Sequence, residues 1–106
     1  MKITRVSEEA AFKNPHKIQA KKILGSPDAE VIHMTLNTGE SLISHKTPVD
    51  VFFYILAGEP TIEIGDERAK VSADSIIESP ADIPHRVYNE SATAAKFLVV
   101  KLPKSK

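Results

Sequence analysis

Apolar and polar side chains along this chain alternate with period two in segment after segment, and almost nowhere with the 3.6-residue period of a helix. From Lys17 to Leu24, Ile18, Ala20, Lys22 and Leu24 fall on one side and Gln19, Lys21 and Ile23 on the other, which predicts a strand with one partly apolar face. Gly25, Ser26, Pro27 and Asp28 end it. A second strand is predicted over Glu30–Leu36, with Ile32, Met34 and Leu36 facing one way and Val31, His33 and Thr35 the other. Val51–Ala57 is apolar throughout, too short for a buried helix and rich in β-formers, so it reads as a central strand covered on both faces.

Thr61–Ile64 and Glu67–Val71 flank Gly65 and Asp66, and a glycine first in a two-residue loop suits a type II′ hairpin turn. Three more short strands are predicted around Ser75–Ser79, His85–Asn89 and Ala94–Leu102, separated by Pro80, Pro84 and the turn from Asn89 to Thr93. One turn of helix near Ser7–Phe12 is the only helical stretch the pattern allows, and Pro103–Lys106 reads as a frayed tail. Many short strands with turn signals between them describe an all-β sandwich or barrel. A chain of 106 residues buries one core, so a single domain over residues 1–106 is expected, its core at about 17–102.

Charge narrows the partners. Fourteen acidic and fourteen basic side chains cancel, so no net field favours nucleic acid, and the aromatic residues are not interleaved with Lys or Arg as a single-strand stacking platform would require. The absence of cysteine removes disulfides, thiolate metal sites and thiol catalysis, leaving nitrogen and oxygen as the only metal donors. No apolar run approaches the roughly 20 residues of a spanning helix, and Met1–Phe12 lacks the apolar stretch of a signal peptide. The expectation is a cytoplasmic protein that binds neither membrane nor nucleic acid.

Two spacings then carry a resemblance. Gly39, His45, Thr47, Val51 and Gly58 stand at the spacing of the first cupin motif, which reads glycine, histidine, histidine, glutamate, glycine. Asp74, Pro80, Asp82, His85 and Asn89 stand at the spacing of the second, which reads glycine, proline, glycine, histidine, asparagine. The stretch from about Val31 to Val100 thus resembles the cupin superfamily, and Phe53–Gly58 and Ile83–His85 are its most specific parts. The resemblance implies a double-stranded β-helix, or jelly-roll barrel. Aspartate at two glycine positions is a mild exchange, because aspartate tolerates left-handed turn conformations.

The resemblance also implies a divalent ion, iron, manganese, nickel or zinc, held inside the barrel. Carried over residue by residue, only His45 and His85 remain as ligands, since Thr47 and Val51 replace the second histidine and the glutamate. Two imidazoles make a weak site, so a third ligand is sought. Asp50 is the nearest carboxylate, though strict alternation turns it away from His45 unless Pro48 introduces a bulge; its ordinary reading is a solvated carboxylate at a strand entrance. His33 is the other candidate, against its reading as a pocket wall or surface residue. His16, beside Pro15 in an irregular stretch, reads as a surface residue whose loss leaves binding intact, and Asn89 as a structural turn residue.

Phe53, sharing a face with Ile55, is expected to line the pocket with Thr47, Val51, Met34 and Phe97, around a small-molecule ligand. Three functions follow: a metal-assisted enzyme such as a dioxygenase or isomerase, a non-catalytic binding or sensor module that has lost the metal shell, or a metal-independent epimerase-like cupin with His85 or His45 as general base and a tyrosine as acid, a role that the spacing of neither Tyr54 nor Tyr88 argues for. Cupins of this size commonly pair through an outer sheet, so a homodimer is expected.

Overall fold

The computed structural model describes residues 1–103. A single 3₁₀ turn, Val6–Glu8, precedes eight strands: β1 (Gln19–Gly25), β2 (Glu30–Leu36), β3 (Val51–Ala57), β4 (Thr61–Ile64), β5 (Glu67–Lys70), β6 (Ile76–Ser79), β7 (His85–Tyr88) and β8 (Ala95–Lys101). The predicted bounds of β2, β3 and β4 coincide with the observed ones. Of the expected tail, Lys104–Lys106 lie outside the described residues. The predicted helical turn at Ser7–Phe12 is displaced toward the N-terminus because the Phe12 N–H donates to Ala20 O at 3.0 Å, which draws the backbone alongside β1.

Two antiparallel sheets face each other, one of five strands in the order β1-β2-β8-β3-β6 and one of three in the order β5-β4-β7. Alternation decides what lies between them. Ile32 and Met34 of β2, Val51, Phe53 and Ile55 of β3, Ile62 of β4, Val87 of β7 and Phe97 of β8 are buried in one cluster. A bulge between Lys22 and Leu24 shifts the register of β1, so Leu24 pairs with Val31 on the outer face. That corrects the placement of Leu24 with Ala20. β3 is likewise covered on only one face within this chain: Phe52 and Tyr54 are half-buried and Leu56 is 41% exposed.

The turns follow backbone chemistry. Asp74 and Asp82, standing where the motif has glycine, adopt φ of 67° and 63°, the left-handed conformation aspartate was expected to accept. Gly65 opens the β4–β5 turn at φ 56°. Residues 39–45 form no named strand, yet they run antiparallel beside β7, with hydrogen bonds from Leu42 N to Val87 O (2.8 Å), His45 N to His85 O (3.1 Å) and His85 N to His45 O (2.8 Å). No helix among the described residues is long and apolar enough to cross a membrane.

Candidate functional site

The backbone pairing of His45 with His85 sets two imidazoles side by side, their ring centres 4.6 Å apart and their planes at 78°. Each has one ring nitrogen already engaged. His45 Nδ1 lies 2.9 Å from Ile43 O; a carbonyl only accepts, so Nδ1 carries the proton and Nε2 keeps a free lone pair. His85 Nδ1 lies 2.9 Å from the buried hydroxyl of Ser79, at the end of β6. The ring of His85 is 3% exposed and packs edge-on against Phe53 at 5.3 Å. Burial, and after it the nearby positive charges of His45, Lys101 and His16, pushes the His85 pKa down to about 4, so it is neutral at pH 7.

A third imidazole joins them. His16 approaches His45 with ring centres 5.2 Å apart and planes at 46°, and its Nδ1 accepts the Ile43 N–H at 2.7 Å. Ile43 thus holds both rings, one by its N–H and the other by its carbonyl. The Asn14–Lys17 turn delivers His16: the Asn14 side chain accepts the His16 N–H and donates to Phe12 O and Ile18 O, while Lys17 sits at φ 57°. Burial foremost, then the charges of His45 and Lys101, lowers the His16 pKa. The reading of His16 as a plain surface residue is therefore corrected. Its one trace in the sequence is Asn14-Pro15, a turn initiator directly ahead of the first inward strand.

These groups line a cavity of about 160 Å³, walled by Ile32, Met34, Leu42, Val51, Phe53 and Val99 and covered on one side by Phe12 and Pro15. Lys101 supplies the one formally charged side chain of the lining; its Nζ is 3.6 Å from a carboxylate oxygen of Glu30. A larger groove of about 630 Å³ lies among β4, β5 and β6, lined by Ile62, Ile64 and Ile77 with a rim that includes Glu67 and Arg68, and it brings no imidazoles together. Convergence of polar groups, rather than size, makes the smaller cavity the candidate site.

The other candidates fall elsewhere. Asp50 is exposed and its carboxylate accepts the Ala81 N–H at 2.8 Å, on the face away from His45 that strict alternation gives it. His33 lies on the outer face of the five-stranded sheet opposite Lys21 and Leu98, where burial and then Lys96 and Lys21 lower its pKa. Neither supplies a third ligand. Thr47 spends its hydroxyl on Val49 O at 2.9 Å and does not line the cavity. Phe97 is fully buried behind Phe53 at 6.3 Å, one layer below the wall; Met34, Val51 and Phe53 do line it. The two tyrosines are outside: Tyr54 donates to Asp74 at 3.0 Å, and Tyr88 stacks under the guanidinium of Arg86. As placed, no three His, Cys, Asp or Glu side chains among the described residues converge closely enough to grip an ion.

Two facing antiparallel sheets enclosing a histidine-lined pocket define a double-stranded β-helix protein. A profile for the cupin domain matches residues 32–101, and the chain belongs to that family. Among solved structures, a protein of Thermus thermophilus is 30% identical, with 99% of this chain and 100% of that one covered and a TM-score of 0.84. A predicted oxalate decarboxylase from Thermotoga maritima shares 21% identity over 96% and 99% of the two chains at a TM-score of 0.86. KdgF from a Halomonas species shares 17% over 98% and 96% at 0.85; at these identities the likeness is one of fold. No curated protein matches the chain.

Proposed function

We propose that this cupin binds a small, anionic molecule in the 160 Å³ cavity beside a divalent metal ion seated on His45 and His85. The observation that carries the reading is the state of those two rings: both line one cavity, both have Nδ1 occupied by a neighbour, and both can offer Nε2. An imidazole that gives its second nitrogen to a carbonyl or hydroxyl is the usual form of a metal-ligating histidine. For His85 this requires the proton on Nδ1, donated to Ser79 Oγ. The donor set suits iron, manganese, nickel or zinc, each of which accepts imidazole. A bound ion would supply Lewis acidity toward an oxygen of the ligand.

The chain's own residues set the ligand class. The cavity is smaller than the ~300–1,000 Å³ of sites for drug-sized molecules. Its walls are apolar, no carboxylate lines it, and Lys101 stands at one end, where an anionic group of a compact ligand would compete with Glu30 for the ammonium. Neither tyrosine reaches this space, which removes the acid that an epimerase-like reaction would use.

Elemental mass spectrometry of untagged protein tests the metal. Near-stoichiometric iron, manganese, nickel or zinc is expected in the native chain, and none in the His45→Ala, His85→Ala double variant. A native chain that takes up no metal even after incubation with all four would leave a metal-free binding module instead.

The same reading includes a homodimer through the outer face of the five-stranded sheet, where Phe52, Tyr54 and Leu98 are half-buried and Ile76 is 59% exposed. Light scattering is expected to give twice the chain mass for the native protein and a single-chain mass for Leu98→Lys. A native single-chain mass would refute the pairing.

A further inference from the structure

We infer that His16 serves the ligand and not the ion: its Nε2–H and the Lys101 ammonium together receive a carboxylate, and the ligand is a short aliphatic monocarboxylate. This rests on the reading that the cavity takes a small anion, and does not depend on a metal at His45 and His85. Three imidazoles and one ammonium line the cavity, and they are of two kinds. His45 and His85 can offer lone pairs, whereas His16 and Lys101 offer protons.

One residue makes two neighbouring imidazoles opposite in character. Ile43 O can only accept, which fixes the proton of His45 on Nδ1 and leaves its Nε2 a lone pair. Ile43 N–H can only donate, which fixes the lone pair of His16 on Nδ1, 2.7 Å away. Burial first, then the charges of His45 and Lys101, lowers the His16 pKa, so at pH 7 the ring carries one proton and that proton is on Nε2. With Nδ1 spent on Ile43, the half-buried ring has a donor left to give and no lone pair.

Lys101 is placed to share the anion. Its charge acts on both His16 and His85, and no carboxylate in the lining opposes a bound one. Its ion pair with Glu30 is 3.6 Å long, beyond the ~2.7–2.9 Å of a charge-assisted hydrogen bond. Glu30 also holds Lys22 at 3.3 Å, so turning Lys101 toward a ligand leaves that carboxylate paired. A carboxylate has two oxygens, one for each donor. The rest of the lining, Met34, Leu42, Val51, Phe53 and Val99, suits a hydrocarbon chain, and about 160 Å³ limits that chain to a few carbons.

Butyrate titrated into chelator-treated, full-length protein tests it, read in ¹H–¹⁵N spectra. Butyrate is expected to shift His16 Nε2 while the Ile43 amide keeps its acceptor, and butyramide, the neutral isostere, to shift neither. Two variants separate a ligand donor from a structural prop. His16→Asn keeps an acceptor near the place of Nδ1 but has nothing at Nε2, and is expected to weaken butyrate binding by about 10–100-fold, the worth of a hydrogen bond to a charged group. His16→Gln restores an amide donor near Nε2 and is expected to keep most of the affinity. Glu30→Gln, which frees Lys101, is expected to tighten binding by about 2–5-fold. Native affinity in His16→Asn with a loss in His16→Gln would overturn the role of His16. So would native-protein spectra in which saturating butyrate leaves Nε2 unmoved, a result that needs no variant to fold. Butyrate that binds only after Zn²⁺ is added would put the carboxylate on the ion and overturn the inference while leaving the metal seat. No butyrate binding in either state would overturn the small-anion reading with it.

Discussion

Replacing Gly58 by alanine is expected to cost about 3 kcal/mol or more and to lower the melting temperature by roughly 12–24 °C. Two effects combine at this position. Gly58 has φ +79°, where a Cβ costs about 1–2 kcal/mol by itself. A Cβ there would also stand 2.5 Å from Ala94 O and 2.8 Å from Ala95 Cα, both backbone atoms at the start of β8, so relief would require moving a strand rather than turning a side chain. The site follows the β3 register shift between Ile55 and Ala57, next to the junction that aligns β3 with β8. Gly39 is the internal control: its φ is +86°, yet a Cβ would meet nothing within 4 Å. Gly39→Ala should therefore show the backbone term alone, about 1–2 kcal/mol. Urea unfolding of both variants measures the difference, and equal losses would refute the steric account.

These two glycines belong to the part of the fold that was legible in the sequence. Local rules governed it: alternation marked β2, a short continuous apolar run rich in β-formers marked β3, and turn chemistry marked Gly65, Asp74 and Asp82. Where a local rule and a wish for a third ligand disagreed, at Asp50, alternation prevailed and the carboxylate went to the Ala81 N–H. What escaped the sequence depends on long-range pairing. His16 and His45 are far apart in the chain, and they meet because Phe12 pairs with β1 and Ile43 reaches across to His16. The bulge in β1 escaped for a related reason: alternation falters at Lys22 and Ile23, which reads equally as a partly apolar face, and only the register against β2 reveals that Leu24 has changed sides. Phe97 was assigned to the correct face but the wrong depth, since alternation gives a side chain's direction and says nothing of which ring lies in front of it.

Acidification is expected to remove about 3 kcal/mol of stability from chelator-treated protein between pH 8 and pH 4, through His85 alone. The folded pKa of about 4 lies below the ordinary 6.5, so His85 is neutral in the fold and becomes protonated in the unfolded chain as pH falls below about 6.5. Over that window the unfolded state binds more protons, so stability falls with falling pH. It is complete above about 6.5 and lost progressively toward 4, at 1.36 kcal/mol per unit of pKa difference. The principal cause is burial of an imidazolium among Phe53 and the cavity wall, with the positive charges of His45, Lys101 and His16 adding to it. His16 and His33 are lowered for similar reasons and push the total in the same direction. A variant that cannot titrate isolates the buried ring. Urea unfolding of His85→Gln should lose about 3 kcal/mol less than the native chain between the two pH values, and parallel pH profiles would mean that His85 is not held neutral by the fold.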